Sequence, residues 1–424
     1  MRVKGWIVLI MALCVSLINV GMVQTQDQSS DPDAPEIVGI SAYWGGNYDL
    51  ALTALDVAVA RDPNNAEILA YRGATRAHLG DEEGAEADYA LSLSLDPVTE
   101  EDFMIGKPSL VEVLQAEVDI DRGRAFEAAV KGHDLTRVEP DNPIGYFLMG
   151  RAYLSDPQTS LISAVSELDK AIERDTQEYE GLTASLYVYR GEAYRRTEQY
   201  DKALADAETA LSYYPDSNLG LRLRGQISID QAQYELAVVQ LSRVLDLYPV
   251  DPYTLALRGK AYTMLREYDL ALKDLDAVLI MYPQYTFPLI TRAEIYLGTG
   301  KNQQAVDNLT VLLALDPTFA YGYAMRGEAY GWLGEFDQSL DDLNRSIELY
   351  PEGAYAWRSR GITYASMEKY DLAMSDLNEA VRLDPGDRNT HYARMRIAFS
   401  QGQYGVAYVD FISLVLIDLT SSNR

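Results

Sequence analysis

The amino-acid sequence predicts an all-α fold, a solenoid of about eleven helix-turn-helix repeats, and three observations carry that reading. The 424-residue chain resembles itself at a fixed interval of 34 residues, as in RGEAY at Arg190–Tyr194 and, two intervals on, RGKAY at Arg258–Tyr262. Periods of this size belong to arrays in which each unit is one supersecondary block packed on its neighbours. Within each interval, apolar residues fall three and four apart over two stretches of about 13 residues, the spacing of amphipathic helices. A proline closes nearly every interval, at Pro215, Pro249, Pro283, Pro317, Pro351 and Pro385, where a residue without an N–H ends the second helix.

The elements follow in order. The first helix carries a column of small residues, Gly191, Gly225, Gly259, Ala293, Gly327 and Gly361, which lets its neighbour approach closely. One turn further on, Tyr194, Tyr262, Tyr296, Tyr330 and Tyr364 cover the gap beside it. A polar turn such as RTEQYDKA (Arg196–Ala203) leads to the second helix, whose own small column is Ala203, Ala237, Ala271, Ala305, Ser339 and Ala373. Asp201, Asp269, Asp337 and Asp371 stand where that helix begins and match the positive end of its dipole.

Extended backwards, the register meets Gly39, Ala51 and Pro63, then Gly73, Ala85 and Pro97. It slips between there and Gly191. Ala116, Ala128 and Pro140 form a degenerate unit after the insertion VTEEDFMIGKP (Val98–Pro108), and Gly150, Tyr153 and Ala164 form another, with insertions near SDPQTS and QEYEGLT. The expected organisation is a leader over 1–25, a short linker over 26–34, two repeats over 35–99, two degenerate repeats over 100–183 and seven regular repeats over 184–421.

These residues resemble the tetratricopeptide repeat, whose pattern runs W-x2-L-G-x2-Y, then A-x3-F, then P. The match lies at the glycine, tyrosine, alanine and proline columns, while arginine stands where the family often has leucine before the glycine. The resemblance implies a right-handed superhelix and a protein-interaction scaffold that binds a protein or peptide partner in the concave groove lined by its first helices. That inference runs from fold to function. Family members that hold chaperone C-termini use a clamp of Lys, Asn and Arg, and this chain does not reproduce it: the matching positions read Val188 and Glu192, Arg222 and Gln226, Ala256 and Lys260. A second reading, from another class, is a cell-envelope component that binds glycan or assembles surface machinery, with which the abundance of tyrosine is compatible.

The N-terminal stretch places Arg2 and Lys4 before an apolar run from Trp6 to Val20, the layout of a secretory signal. The run is short of the roughly 20 residues a spanning helix needs. Export to a bacterial periplasm, cell surface or medium is therefore expected, with membrane anchoring by residues 6–23 as the alternative. Cys14, the sole cysteine, lies inside this leader, so disulfides and cysteine-based metal sites are not expected in the mature chain. The formal net charge is −28. A surface that acidic repels nucleic-acid backbones and anionic headgroups at long range, so neither nucleic acid nor, without the anchor, a membrane is expected as a partner.

Three groups of residues stand out. Arg190, Arg258, Arg326 and Arg360 each precede an acid by 16 residues, namely Asp206, Asp274, Asp342 and Asp376, which predicts a structural Arg–Asp ladder between packed helices. Arg224, Arg292 and Arg394 continue the arginine column, opposite Gln240, Asn308 and Asp410. Tyr253, Phe287, Tyr321 and Tyr355 begin four consecutive first helices; the plainer reading is a set of packing wedges between adjacent first helices, and the functional one a periodic strip suited to an extended peptide. Arg222, Lys260 and Arg358 are candidate basic contacts in the same groove. Enzymatic signatures are missing: His78, His133 and His391 fall in different repeats, none at metal-ligand spacing, and no phosphate-binding loop or nucleophile motif occurs. No catalysis, cofactor or metal is expected. The last helix, Tyr404–Leu419, is apolar on more than one face, which marks a candidate surface for self-association.

Overall fold

The computed structural model describes residues 34–421 apart from 157–158 and 178, so the expected leader lies outside the described residues. Among the described residues the chain is helical throughout, and two compact units divide between Val118 and Asp119.

The first unit holds α1 (Pro35–Trp44) with α2 (Tyr48–Arg61), α3 (Ala66–His78) with α4 (Glu82–Leu95), the short α5 (Glu100–Ile105) inside the 98–108 insertion, and most of α6 (Leu110–Asp121). Its core is unusually aromatic: Tyr43, Trp44 and Tyr71 are buried edge to face. The Tyr43 hydroxyl donates to the buried Glu117 carboxylate at 2.5 Å, and His78 meets the same oxygen at 2.8 Å. These polar contacts satisfy groups that burial would otherwise penalise.

The second unit continues with α7 (Ala125–Val138), then pairs α8 (Pro143–Ser155) with α9 (Leu161–Arg174), α10 (Glu180–Arg196) with α11 (Tyr200–Tyr213) and α12 (Asn218–Asp230) with α13 (Tyr234–Leu247). The remaining pairs are α14 (Pro252–Met264) with α15 (Tyr268–Met281), α16 (Thr286–Gly298) with α17 (Asn302–Leu315), α18 (Ala320–Leu333) with α19 (Phe336–Leu349), α20 (Ala354–Ser366) with α21 (Tyr370–Leu383) and α22 (Arg388–Ser400) with α23 (Tyr404–Ser421). Among the described residues the first unit thus holds two such pairs and the second unit eight.

The pairs look alike because the same contacts recur. A Cβ added at Gly225 would lie 2.6 Å from Leu241, and one at Gly259 would lie 2.9 Å from Leu275, so glycine is what admits the fully buried leucine 16 residues later. Ala237, Ala271, Ala305 and Ala373 pack at zero exposure on the facing helix. The turn between the two helices needs one left-handed residue, supplied by Gly300, Gly334 and Gly402 but also by Glu198, Ala232, Arg266 and Glu368. The acids expected at helix starts sit in first turns, as with Asp269 in α15.

Within this unit the first helices of successive repeats pack on one another, α12 on α14, α14 on α16, α16 on α18 and α18 on α20. Each second helix is wedged between its own first helix and the next one. The first helices thus form one continuous layer, and that layer positions the candidate site.

Candidate functional site

The arginine column spans both layers. Arg258 donates through Nε and Nη2 to the two carboxylate oxygens of Asp274 at 2.7 and 2.9 Å, a fork-on-fork bond to a buried acid. The same pair of bonds joins Arg190 to Asp206, Arg326 to Asp342 and Arg360 to Asp376, all between 2.7 and 2.9 Å. Arg72 with Asp88 and Arg394 with Asp410 repeat it. The third arm of each guanidinium, Nη1, reaches the second helix of the preceding repeat, at Asp169 from Arg190, Ser242 from Arg258, Thr310 from Arg326 and Asn344 from Arg360. Each arginine therefore ties two repeats together, and Tyr262, Tyr330 and Tyr364 lie beneath Arg258, Arg326 and Arg360 at about 6 Å. The hydrogen bonds to Asp274 outweigh burial and hold Arg258 above the ordinary arginine range.

One rung is incomplete. Opposite Arg224 stands Gln240, whose amide oxygen accepts from Ser228 instead, at 2.9 Å, and the buried Nε of Arg224 has no partner. Arg292 adapts better, donating to Asn308 at 2.8 Å and to Asp276 at 2.7 Å.

The aromatic column occupies the second position of α14, α16, α18 and α20, so each ring projects where its first helix begins. Its members differ in exposure. Phe287 packs against the core cluster of Leu245, Leu255, Ala256 and Val278, and Tyr355 packs against two clusters, one holding Met325 and Ala329 and the other Leu343. Tyr253 and Tyr321 keep 36% and 40% of their surface in solvent. Tyr321 and Tyr355 lie 5.2 Å apart, and Phe319 extends the group at 6.2 Å from Tyr321. Tyr285 lies 6.5 Å from Phe287. Phe319 and Tyr285 are themselves 34 residues apart, a column that sequence reasoning passed over although its period was in view.

Hydroxyls along this strip are engaged from the neighbouring first helix: Gln226 donates to Tyr253 at 2.9 Å, and Tyr355 donates to Glu328. Burial, with Glu328 second, raises the Tyr355 hydroxyl well above the usual tyrosine range, and burial pushes Tyr285 up to about 12. Burial first, then Glu294 and Glu328, moves Tyr321 the same way. These hydroxyls stay protonated at neutral pH and are hydrogen-bond donors.

The three basic candidates are committed internally. Arg222 lies over the Tyr253 ring at 5.0 Å and 3.3 Å from Asp251; Arg358 lies over Tyr355 at 4.7 Å and donates to Asp387 at 2.6 Å. Lys260 donates to Glu294 at 2.7 Å. Their charges are largely neutralised, and what they present is a rigid frame around the rings.

Beside Tyr253 opens a cleft of about 620 Å³, lined by Pro252, Tyr253, Met281, Tyr282, Pro283, Gln284 and Tyr285. It lies where the loop after α15 passes the start of α14, and no charged side chain lines it. Among the histidines, His133 is exposed, while the buried His391 bonds Asp410 at 2.7 Å and the Pro385 carbonyl at 3.0 Å.

Comparison with protein families agrees with this repeat geometry. One profile of the tetratricopeptide repeat matches residues 184–217, and a second matches 39–98 and 324–388. The chain carries tetratricopeptide repeats over these residues. No curated protein matches this tetratricopeptide repeat chain significantly. Solved structures similar to it include a tetratricopeptide repeat protein from Parabacteroides merdae, 19% identical, covering 56% of this chain and 92% of that one with a TM-score of 0.44. The Cut9–Hcn1 hetero-tetramer of the APC/C is 13% identical over 87% of this chain and 96% of its own, with a TM-score of 0.46. YrrB, described as having an unusual peptide-binding site, is 16% identical over 44% of this chain and 97% of its own, with a TM-score of 0.37.

Proposed function

We propose that this tetratricopeptide repeat protein is an interaction scaffold whose first-helix layer, on the concave side from α12 to α20, holds an extended segment of a partner protein. The observation that carries the reading is the aromatic strip at the starts of α14, α16, α18 and α20, with Tyr253 and Tyr321 open to solvent and held in place from behind. Rigid rings with polar tips give contact area at little entropic cost. Recognition here needs no chemistry on the partner, and the repeat fold is typically a non-catalytic scaffold. A peptide array and a glycan array probed with the same protein test it. Peptide signal lost on Tyr321→Ala supports the reading; glycan signal lost on that change, with no peptide signal, replaces it with the envelope-glycan reading.

The scaffold is further proposed to be exported through the Arg2–Val20 segment, cleaved near Val23 to Thr25, with anchoring by residues 6–23 as the alternative. N-terminal sequencing of protein from the host envelope distinguishes the two. In α23, Tyr408, Val409, Phe411, Leu416 and Leu419 are exposed, and they support self-association through this helix. A monomer by light scattering at high concentration would remove that part.

A further inference from the structure

We propose that the cleft beside Tyr253 is a specificity pocket for a proline-bearing segment in polyproline II conformation, carried by a partner with basic flanks; this rests on the reading of the first-helix layer as a peptide-binding face. Size decides first. The cleft's lining residues come only from the end of α15 with the loop after it and from the start of α14, a length of wall that suits a few residues of single extended chain. Strand addition needs a sheet edge, and there is none among the described residues.

Chemistry then narrows the extended segment. The walls are two prolines, three tyrosines and one methionine, an aromatic and apolar surface on which pyrrolidine rings stack. A polyproline II chain has no internal hydrogen bonds, so its carbonyls need donors. The hydroxyls of Tyr282 and Tyr285 and the Gln284 amide supply them, and Tyr253, which accepts from Gln226, keeps its own proton to donate. Because the segment is already ordered when free, it also loses less entropy on binding.

Charge fixes the flanks. No charged side chain lines the cleft, and Arg222, which lies over the Tyr253 ring, is neutralised by Asp251. The segment inside is therefore uncharged. Outside it, a chain of net charge −28 attracts lysine and arginine.

The test is fluorescence anisotropy of labelled KKPPLPPKK and its counterpart KKAALAAKK against the full chain, Tyr282→Ala, Met281→Ala and Tyr321→Ala. Tyr282 is 54% exposed in a loop and Met281 is also exposed, so both cleft variants are expected to melt like the parent. The proline peptide is expected to bind, with the alanine peptide at least about tenfold weaker and either cleft variant weakening the proline peptide by a similar factor. Equal binding of the two peptides, no binding of either, or loss with Tyr321→Ala while Tyr282→Ala and Met281→Ala bind normally, overturns the pocket. A peptide array that is positive without a proline preference and sensitive to Tyr321→Ala leaves the wider face standing and removes only the cleft assignment.

Discussion

Gln240→Asp is expected to stabilise the protein, because it supplies the carboxylate that Arg224 lacks. In the complete rungs the arginine Nε and Nη2 donate to one aspartate at 2.7–2.9 Å, and at Arg224 the buried Nε has no partner. Position 240 stands 16 residues after Arg224, the same separation as Asp274 from Arg258. Two hydrogen bonds to a charged group contribute roughly 1.5–3 kcal/mol each, against the roughly 0.5–1.5 kcal/mol of the Ser228–Gln240 bond that is lost. Desolvating the new carboxylate offsets much of the remainder. A net gain of about 1–2 kcal/mol is the expectation. A solenoid does not unfold as one unit, so the readout should be local: amide hydrogen exchange of α12 and α13 slowed about tenfold, the equivalent of about 1.4 kcal/mol. The gain should vanish in an Arg224→Met background. Unchanged or faster exchange in Gln240→Asp, or an equal gain without Arg224, would refute the reasoning.

Asp274→Ala leaves the Arg258 guanidinium half-buried without its main partner and should cost about 3–5 kcal/mol, seen as exchange in α14 and α15 approaching that of the unfolded chain. Ala232→Gly and Arg266→Gly relieve left-handed backbone at φ 57° and 61° and should each add about 0.5–1 kcal/mol, read from slowed amide exchange in the helices flanking the turn, whereas the same change at Glu235, in the first turn of α13, should not slow exchange there. Tyr285 is pushed up to about 12, so the unfolded chain releases this proton first as pH rises. The folded state then binds more protons, and stability is full below about pH 10 and declines from there to pH 12. Tyr285→Phe should flatten part of that decline, and absorbance at 295 nm should show one tyrosine fewer titrating late.

The repeat could be read from sequence because its columns are packing contacts forced to recur: Gly225 and Gly259 admit Leu241 and Leu275 at a fixed offset of 16. The spacing of Arg258 and Asp274 was visible for the same reason. Its counterpart on the preceding repeat was not, since Asp169, Ser242, Thr310 and Asn344 share no residue type, only an ability to accept a hydrogen bond. The positions of Arg222, Lys260 and Arg358 are plain in the sequence, but their engagement by Asp251, Glu294 and Asp387 depends on how neighbouring first helices pack. The cleft was hidden because Tyr282 to Tyr285 form a loop, and only this repeat combines Tyr282, Pro283 and Tyr285.

Site-specific photo-cross-linking tests the central claim most directly. A benzoylphenylalanine placed at Tyr321, on the first-helix layer, is compared with one at Ile280, which is 81% exposed on the second helix α15. With peptides selected from the array, the account predicts cross-linking from position 321 and none above background from position 280. Equal yields from the two, or capture from position 280 alone, would contradict it.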